Sequence, residues 1–367
     1  MKHFIVLSLF CIILFIFVLL NKSNVNNNKL NIYNWSDYIA DGVIEKFEEE
    51  TGILVTYDVY DSNEVLETKI LAGSSGYDLV VPTSDFLARG REVGAYQDLD
   101  LKSLKNYNFL DKTLTEKANH LIGDEESGII YMWGTTGVAY NEKMVLERLG
   151  PDATLNSLSL IFNKDVVSKL QDCGVTLLDA PTEVFPAVLM YLGLQPTTQD
   201  AELFKKAHEH LMKIRPFIKY IHSSQPIVDM ANGEICVALM WSGDAFIAAD
   251  RASEANNGHN INYVIPKEGT NLWFDMMAIP KDAKNVKNAH KFIDFMLNPK
   301  IAAENTNSVW YANANAEASK YIDPEILNHR GIYPSKSSRE NMYILPVYSS
   351  KSDKIVNRLW TNFSLGN

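Results

Sequence analysis

The 367-residue sequence lacks the motifs that mark the common classes of enzyme. It contains no G-x-S-x-G elbow, no P-loop, no G-x-G-x-x-G and no H-E-x-x-H. Its eight histidines are scattered, and none forms a metal cluster with its sequence neighbours. We therefore expect no catalytic residue, no metal and no cofactor. Paired carboxylates that hydrolyse a glycoside are the one enzymatic alternative.

Positive charge is also scarce. The chain has 34 Lys and Arg against 45 Asp and Glu, which gives a formal net charge of -11. Nucleic-acid binding requires a basic surface, so this balance argues against a nucleic-acid partner. It is compatible with a cationic ligand, although many soluble proteins are equally acidic.

The first 28 residues differ in composition from the rest. Residues 1–3 include a lysine, residues 4–20 are almost wholly apolar, and residues 21–29 are polar and rich in Asn. This pattern is typical of a secretory signal peptide followed by a linker. A retained membrane anchor is the alternative, because residues 4–20 lie at the short end of a spanning helix. In both cases we expect the bulk of the chain outside the cytoplasm, in the periplasm.

Cysteine is rare, with three in the chain. Cys11 follows Phe10, where a lipoprotein cysteine would follow a small residue. Because Cys11 lies in the apolar N-terminal segment, the exported part contains two cysteines, Cys173 and Cys236. In an oxidising compartment such a pair favours a disulfide, with two buried thiols as the alternative.

The regular pattern of the first hundred residues predicts an α/β fold. Apolar and β-branched runs at 30–35, 53–60 and 77–82 predict strands, and helical spacing predicts the intervening helices, the first ending at Gly52. This order predicts a parallel sheet with right-handed crossovers. The chain length predicts two lobes. Small residues at 134–137 interrupt a long apolar strand, and there we expect a bend that acts as a hinge.

Hydroxyls and carboxylates follow two of these strands. Ser36 and Asp37 follow the first strand, and Thr83 and Asp85 follow the third. Ligands of open α/β folds bind at this edge of the sheet. Helix capping is the alternative function for all four side chains.

A later strand, at 234–240, ends in Trp241, and the chain turns at Gly243 before Asp244. An aromatic ring beside a carboxylate suits a ligand that carries a positive charge on an apolar stem. A core tryptophan and a helix-capping aspartate are the alternative.

Two further carboxylates are candidates. Glu183 lies early in a predicted helix, where the macrodipole alone also favours an acid. In the predicted strand 272–280, alternation places Trp273 and Asp275 on one face and Phe274 on the other. Phe274 is therefore the better candidate for the core.

Several segments together resemble the periplasmic polyamine-binding proteins that serve ABC transporters, above all the putrescine-binding type. They keep the family order and cover nearly the whole mature chain. They are IYNWSDY (32–38), FEEETG (47–52), DSNEVLE (61–67), YDLVVP (77–82), YMWGTTG (131–137), LDAP (178–181), EVF (183–185), HSSQ (222–225), Trp241 with Gly243-Asp244, IPKEG (265–269) and YANAN (311–315).

The resemblance implies the type II periplasmic binding fold, in which each of two lobes is a mixed sheet flanked by helices and the ligand lies in the cleft. We expect lobe 1 to comprise residues 29–133 and 250–303, and lobe 2 residues 134–249 and 304–367. It also implies that Cys173 and Cys236 match the disulfide of the putrescine-binding type. The implied ligand residues are Trp35, Ser36, Asp37, Tyr38, Thr83, Glu183, Ser224, Trp241, Asp244, Trp273, Asp275 and Tyr311, to which we add Asp85.

The resemblance further implies a monomeric receptor that delivers a polyamine to ABC-transporter permease subunits. Asp244, where spermidine-preferring relatives carry Ser, and Asp37, where they carry Glu, favour putrescine. Asp85 departs from both types, which carry Ser or an aromatic there. If it faces the cleft it shifts selectivity toward cadaverine, agmatine or spermidine, whereas at the surface or as a cap it changes little. Trp273, by contrast, resembles the residue of the spermidine-preferring relatives. Sensing rather than transport is a further alternative.

Overall fold

The computed structural model describes residues 28–335, 338–339 and 342–366. The predicted signal peptide or anchor lies, apart from Asn28, outside the described residues. The strands are β1 (Lys29–Trp35), β2 (Leu54–Tyr60), β3 (Leu79–Val80), β4 (Tyr96–Gln97), β5 (Ile129–Asn141), β6 (Val175–Leu177), β7 (Ile218–Ile221), β8 (Val237–Trp241), β9 (Ile261–Val264), β10 (Leu272–Met277), β11 (Ile279–Pro280) and β12 (Ala312–Asn313).

The helices alternate with these strands over most of the chain. They are α1 (Val43–Thr51), α2 (Asn63–Leu71), α3 (Ser84–Glu92), α4 (Lys112–Ile122), α5 (Glu142–Leu149), α6 (Ser159–Phe162), α7 (Lys164–Val167), α8 (Pro181–Tyr191), α9 (Ala201–Ile214), α10 (Gln225–Ala231), α11 (Ser242–Glu254), α12 (Val286–Met296), α13 (Pro299–Val309), α14 (Pro324–Asn328) and α15 (Ser350–Leu365). Within the described ranges, no helix is both long enough and apolar enough to cross a membrane.

The first sheet confirms the predicted parallel arrangement. Its strand order is β2-β1-β3, and β1 pairs in parallel with both neighbours. Helix α1 ends as predicted at Gly52, whose φ of 67° suits glycine. Because the strands are parallel, the segments that follow β1, β2 and β3 leave the sheet at the same edge.

The second sheet is mixed, with the order β10-β5-β8-β6-β7. Its long strand β5 changes partners along its length. Residues 129–135 pair with β10, and residues 136–141 pair with β8 and β9. The mixed sheet, the parallel sheet and the flanking helices give the α/β architecture that the sequence predicts.

Strand β5 runs through 134–137 without interruption, so the small residues there do not end the strand, and the hinge expected at this segment stays a prediction. The glycines there allow close approach of other elements. A Cβ at Gly134 would lie 2.6 Å from the ring of Trp273, and one at Gly137 would lie 2.4 Å from the carbonyl oxygen of Val264. Both distances are shorter than van der Waals contact, so any larger residue would push its neighbour aside.

Two clusters of buried apolar side chains form the core. One surrounds the parallel sheet and β10, and it includes Phe47 and Phe274. The other surrounds β6 and β8 under helices α8, α9 and α15, and it includes Phe185. Cys173 and Cys236, which precede β6 and β8, form a buried disulfide with Cα atoms 5.5 Å apart. The predicted disulfide is thereby confirmed.

Candidate ligand-binding site

A cavity lies where the carboxyl ends of the parallel sheet face the ends of β6 and β8, and the space between its walls, open solvent included, is about 640 Å³. The segments that follow β1, β2 and β3 reach it from one side, and the first turns of α8 and α11 reach it from the other. The cavity brings together eleven of the thirteen candidate residues. They are Trp35, Ser36, Tyr38, Thr83, Glu183, Ser224, Trp241, Asp244, Trp273, Asp275 and Tyr311.

Asp37 does not line this cavity. Its backbone has a φ of 52°, and its carboxylate accepts a hydrogen bond from the guanidinium of Arg251 at 2.6 Å. Both side chains of this ion pair are 40% exposed. The carboxylate of Asp37 is thus engaged by a cation of the protein itself, on the surface beside the cavity.

Asp85 also lies outside it, and it neither faces the main cavity nor points to solvent. Its carboxylate accepts a hydrogen bond from the hydroxyl of Thr83 at 2.7 Å. It lines a second, much smaller cavity with Arg89, Thr182 and residues 345–348. Burial raises its pKa, against the hydrogen bond from Thr83 and the charge of Arg89.

Aromatic rings form the walls of the main cavity. The rings of Trp35 and Trp241 meet edge to face at 5.5 Å, and those of Tyr38 and Tyr311 at 5.0 Å. The indole N–H of Trp35 donates to the carbonyl of Val81 at 2.9 Å, which fixes that ring. Such faces attract cations and cover methylene groups at the same time.

Asp275 occupies the wall contributed by β10, on the same face as Trp273. Its Oδ2 accepts a hydrogen bond from the hydroxyl of Tyr38 at 2.6 Å. Its Oδ1 is buried and has no hydrogen-bond partner among the described residues. Burial raises the pKa of this carboxyl well above its usual range, and only the bond from Tyr38 offsets it. A buried acceptor in this state requires a proton or a cation.

Asp244 lies in the first turn of α11 and is buried. Its Oδ1 accepts a hydrogen bond from the hydroxyl of Tyr311 at 2.6 Å. Burial raises its pKa to about 7, the bond from Tyr311 lowers it, and the charge of Asp37 raises it further. Gly243 allows this arrangement, since a Cβ there would lie 2.2 Å from the ring of Tyr311.

Glu183 lies in the first turn of α8 and is also buried. It accepts hydrogen bonds from Thr136 Oγ1 at 2.7 Å and from Asn271 Nδ2 at 3.2 Å. Burial nevertheless raises its pKa to about 7. Glu183 and Asp244 both lie at a helix N-terminus, where the dipole favours an acid, and both also line the cavity. Stabilisation of the helix and a function in ligand binding are therefore compatible for these residues.

The hydroxyls after β1 and β3 do not cap helices. Ser36 Oγ donates to Asp61 Oδ1 at 2.8 Å, and Ser224 Oγ donates to the same oxygen at 2.9 Å. Thr83 occupies the N-cap position of α3, but its hydroxyl bonds to Asp85 rather than to the helix backbone. The capping alternative is therefore wrong for these side chains.

Two carboxylates of the cavity, Asp61 and Glu64, are not among the site residues predicted from the sequence. Glu64 Oε1 is buried without a hydrogen-bond partner among the described residues, and burial raises the pKa of this carboxyl to about 7. Both residues follow β2, whose end lies at the same sheet edge as the ends of β1 and β3. The strand pattern alone was sufficient to point to this segment.

The electrostatic character of the cavity follows from its lining. Five carboxyl groups face it, and no Lys, Arg or His side chain of the described residues does. The carboxyls belong to Asp61, Glu64, Glu183, Asp244 and Asp275. An apolar slot with several acidic groups and no basic one is complementary to an elongated polycation and repels anions.

Comparison with known proteins gives consistent matches. The family model of the bacterial extracellular solute-binding proteins matches residues 42–329. The chain is 47% identical over 341 residues to the putrescine-binding periplasmic protein SpuD of Pseudomonas aeruginosa. That match covers 93% of this chain and 93% of that protein. It is 45% identical over 338 residues to the putrescine-binding periplasmic protein PotF of Escherichia coli, covering 92% of this chain and 91% of that protein.

A solved structure gives a similar result. It is a Listeria monocytogenes protein assigned to a spermidine/putrescine ABC transporter, and it superposes with a TM-score of 0.83 at 34% identity. The match covers 93% of this chain and 100% of that one.

Proposed function

Since the chain belongs to the bacterial extracellular solute-binding proteins, we propose that it is a receptor that binds a polyamine, foremost putrescine, and delivers it to an ABC-transporter permease. It is a binding protein and not an enzyme. The observation that carries the choice of ligand is the unpartnered, buried oxygen of Asp275 in a cavity with five carboxyls and no basic side chain of the described residues.

Putrescine is a four-carbon chain with an ammonium group at each end. Burial of an unpaired ammonium costs several kcal/mol, so each end requires an anionic or well-placed neutral acceptor. Asp275 is the acceptor for one ammonium, and Asp244 lies toward the other. The methylene groups pass between the aromatic walls, where each cation–π contact contributes about 0.5–2 kcal/mol.

The direct ligand contacts in this proposal are the eleven candidate residues that line the cavity. Asp37 is assigned a supporting function through its ion pair with Arg251. Asp61, whose Oδ1 accepts hydrogen bonds from the hydroxyls of Ser36 and Ser224, is added as a residue that positions both.

The remaining expectations belong to the same proposal. We place the mature protein in the periplasm as a monomer without a nucleic-acid partner, exported by means of residues 1–28. Its lobes are residues 29–133 with 250–303, and 134–249 with 304–367. Support for the first boundary is that β5 changes strand partners between residues 135 and 136.

The test is a thermal-shift panel on ligand-stripped protein that begins near Lys29. The panel contains putrescine, cadaverine, agmatine, spermidine and spermine, with maltose as the control. A ligand at a hundred times its Kd stabilises the folded state by about 2.7 kcal/mol, which is readily measured. The largest shift should come from putrescine. A larger shift with another amine changes the preferred ligand, and no shift with any amine contradicts the proposal.

A further inference from the structure

Glu183 is held by two side chains that do not themselves line the cavity, Thr136 and Asn271. Thr136 lies in β5, Asn271 directly precedes β10, and the two residues are 6% and 2% exposed. Strands β5 and β10 pair antiparallel with Leu272 opposite Thr135, so Thr136 and Asn271 lie at neighbouring positions of the pair. Both therefore reach Glu183 from within the protein rather than from the ligand side.

The hydrogen bond from Thr136 to Glu183 is supported by Trp273. The indole N–H of Trp273 can only donate, and it donates to Thr136 Oγ1 at 3.2 Å. The hydroxyl of Thr136 in turn donates its one proton to Glu183 Oε2 at 2.7 Å. A hydroxyl that accepts one hydrogen bond becomes a stronger donor, so Trp273 both orients and strengthens the bond to Glu183.

Asn271 supplies a second donor to the same carboxyl. Its Nδ2 lies 3.2 Å from Oε1 and 3.4 Å from Oε2 of Glu183. Its Oδ1 is buried and has no hydrogen-bond partner among the described residues, so the amide directs its N–H group and not its oxygen toward the acid. Both side chains thus donate to Glu183, and donors stabilise the ionised form of a carboxyl.

These two hydrogen bonds oppose the effect of the surroundings on Glu183. Burial raises the pKa of this carboxyl to about 7, the bonds from Thr136 and Asn271 lower it, and the charges of Asp85 and Glu64 raise it. The donors are therefore the groups that favour a charged Glu183 before a ligand binds.

The other titratable groups near Glu183 are acids and phenols. The charge of Glu183 raises the pKa of Asp275, Tyr263, Tyr343 and Tyr348. Along the described part of the chain, no Lys, Arg or His side chain lines the cavity. Neutral hydrogen-bond donors here take the place that a basic side chain of the protein would otherwise fill.

We propose that Trp273, Thr136 and Asn271, here called the donor set, keep Glu183 ionised so that it accepts an ammonium group of the polyamine, an inference that rests on the proposed function. Thr136 and Asn271 are positioning residues, since neither lines the cavity. Trp273 has two functions, as a cavity wall and as the donor that orients Thr136. If these bonds only stabilise the fold, their loss lowers stability and leaves the pH dependence of binding unchanged.

Carboxyl-carbon NMR of the ligand-stripped protein measures the ionisation of Glu183, and Glu183→Gln identifies its signal. Thr136→Val removes the donor and keeps the shape of the side chain, so it should move the ionisation of Glu183 about one pH unit higher. Trp273→Phe removes the indole N–H, keeps an aromatic wall, and should move it in the same direction by less. The control is Thr176→Val in β6, because Thr176 is fully buried and its hydroxyl has no partner in the described ranges. It should move nothing.

Titration calorimetry with putrescine shows whether this ionisation matters for binding. Thr136→Val should raise the Kd about tenfold at about pH 6 and less than about twofold at about pH 8.5, where Glu183 is ionised even without the donor. Trp273→Phe should raise the Kd about threefold at the lower pH, with the same dependence. In a Glu183→Gln background, Thr136→Val should change the Kd less than about twofold at either pH.

An unmoved ionisation of Glu183, or a loss of affinity that is equal at both pH values or persists in the Glu183→Gln background, would overturn this inference and leave the receptor function intact. Trp273→Phe keeps the inference testable if Thr136→Val fails to fold. Wild-type protein that binds no polyamine contradicts the proposed function itself.

Discussion

Asp275 is a buried carboxyl of the cavity wall whose two oxygens differ in their hydrogen bonding. Tyr38 satisfies one of its oxygens, and the other faces the cavity without a partner among the described residues. In the ligand-free protein this carboxyl is held in a state that favours the neutral form, because burial raises its pKa. An ammonium group at Oδ1 stabilises the charged form of the carboxyl, so the ligand provides the positive charge that the protein does not place beside Asp275.

We expect Asp275→Asn to weaken putrescine binding by about 3–5 kcal/mol, because it leaves a buried ammonium without its counter-charge. The fold should persist, since the amide keeps the size of the carboxyl. Calorimetric titration measures the loss, with Asp98→Asn, an exposed site, as the control. Wild-type affinity in Asp275→Asn would remove this residue from the site.

Trp241→Ala should also weaken putrescine binding, by about 2 kcal/mol or more, because it removes a cavity wall and a cation–π partner. Trp35 would lose the ring that it meets at 5.5 Å. Tyr321→Ala, which removes an aromatic side chain that is 47% exposed, is the matched control. An unchanged Kd in the tryptophan variant, measured on protein with a native circular dichroism spectrum, would argue against a ligand-facing ring.

At the scale of elements, the ends of strands and the starts of helices form the site. Segments after β1, β2 and β3 supply Ser36, Asp61 and Thr83 at one sheet edge. Helices α8 and α11 supply Glu183 and Asp244 in their first turns, where the positive end of the helix dipole favours an acid. The carboxyls of Glu183 and Asp244 are thus carried by regular helices rather than by loops, which favours precise positioning.

The disulfide Cys173–Cys236 links the segments that precede β6 and β8, which are 63 residues apart in the chain. We expect Cys173→Ser to lower the free energy of unfolding by about 2–5 kcal/mol, as measured by urea denaturation. Putrescine affinity should change little, since neither cysteine lines the cavity. Reducing agent should destabilise the wild type and leave the variant unchanged. Equal stability of variant and wild type would show that the bridge contributes nothing.

For the whole molecule, the acidic cavity links stability to pH. Glu64 and Glu183 have their pKa raised from 4.5 to about 7, and Asp244 from 3.8 to about 7. The native state therefore holds protons that the unfolded chain has released. The contribution of these groups to the free energy of unfolding falls as the pH rises from about 4 to about 7, and it is constant above that.

Ligand binding should have the opposite pH dependence. Because the polyamine binds the ionised carboxyls, putrescine affinity should rise between about pH 5.5 and about pH 8, while its amines stay protonated to about pH 10. Titration in buffers of different ionisation enthalpy would detect the protons released. Glu183→Gln should flatten part of the dependence, both in thermal stability without ligand and in Kd. A Kd that is constant over this range would contradict the coupling.

Much of the site was predictable because its geometry is local. Strand periodicity places Trp273 and Asp275 on one face of β10, and the parallel order of the first strands brings Ser36 and Thr83 to one edge. The segment at Asp61 follows from the same rule, because it lies at the end of β2, although it is not among the predicted site residues. These features depend on backbone alternation and strand order, which the apolar pattern determines.

The sequence by itself determined the order of the first strands and helices, the family, the acidic character and the paired cysteines. Only the tertiary structure decided where the carboxylates of Asp37 and Asp85 point. The carboxylate of Asp37 is paired with Arg251, 214 residues away in the chain, and that of Asp85 lies in a cavity that Tyr348 also lines. It also decided that β5 continues through Gly137. Local pattern specifies which side chains leave an element, but the partner that fixes each one comes from distant segments, whose approach depends on how the whole core packs.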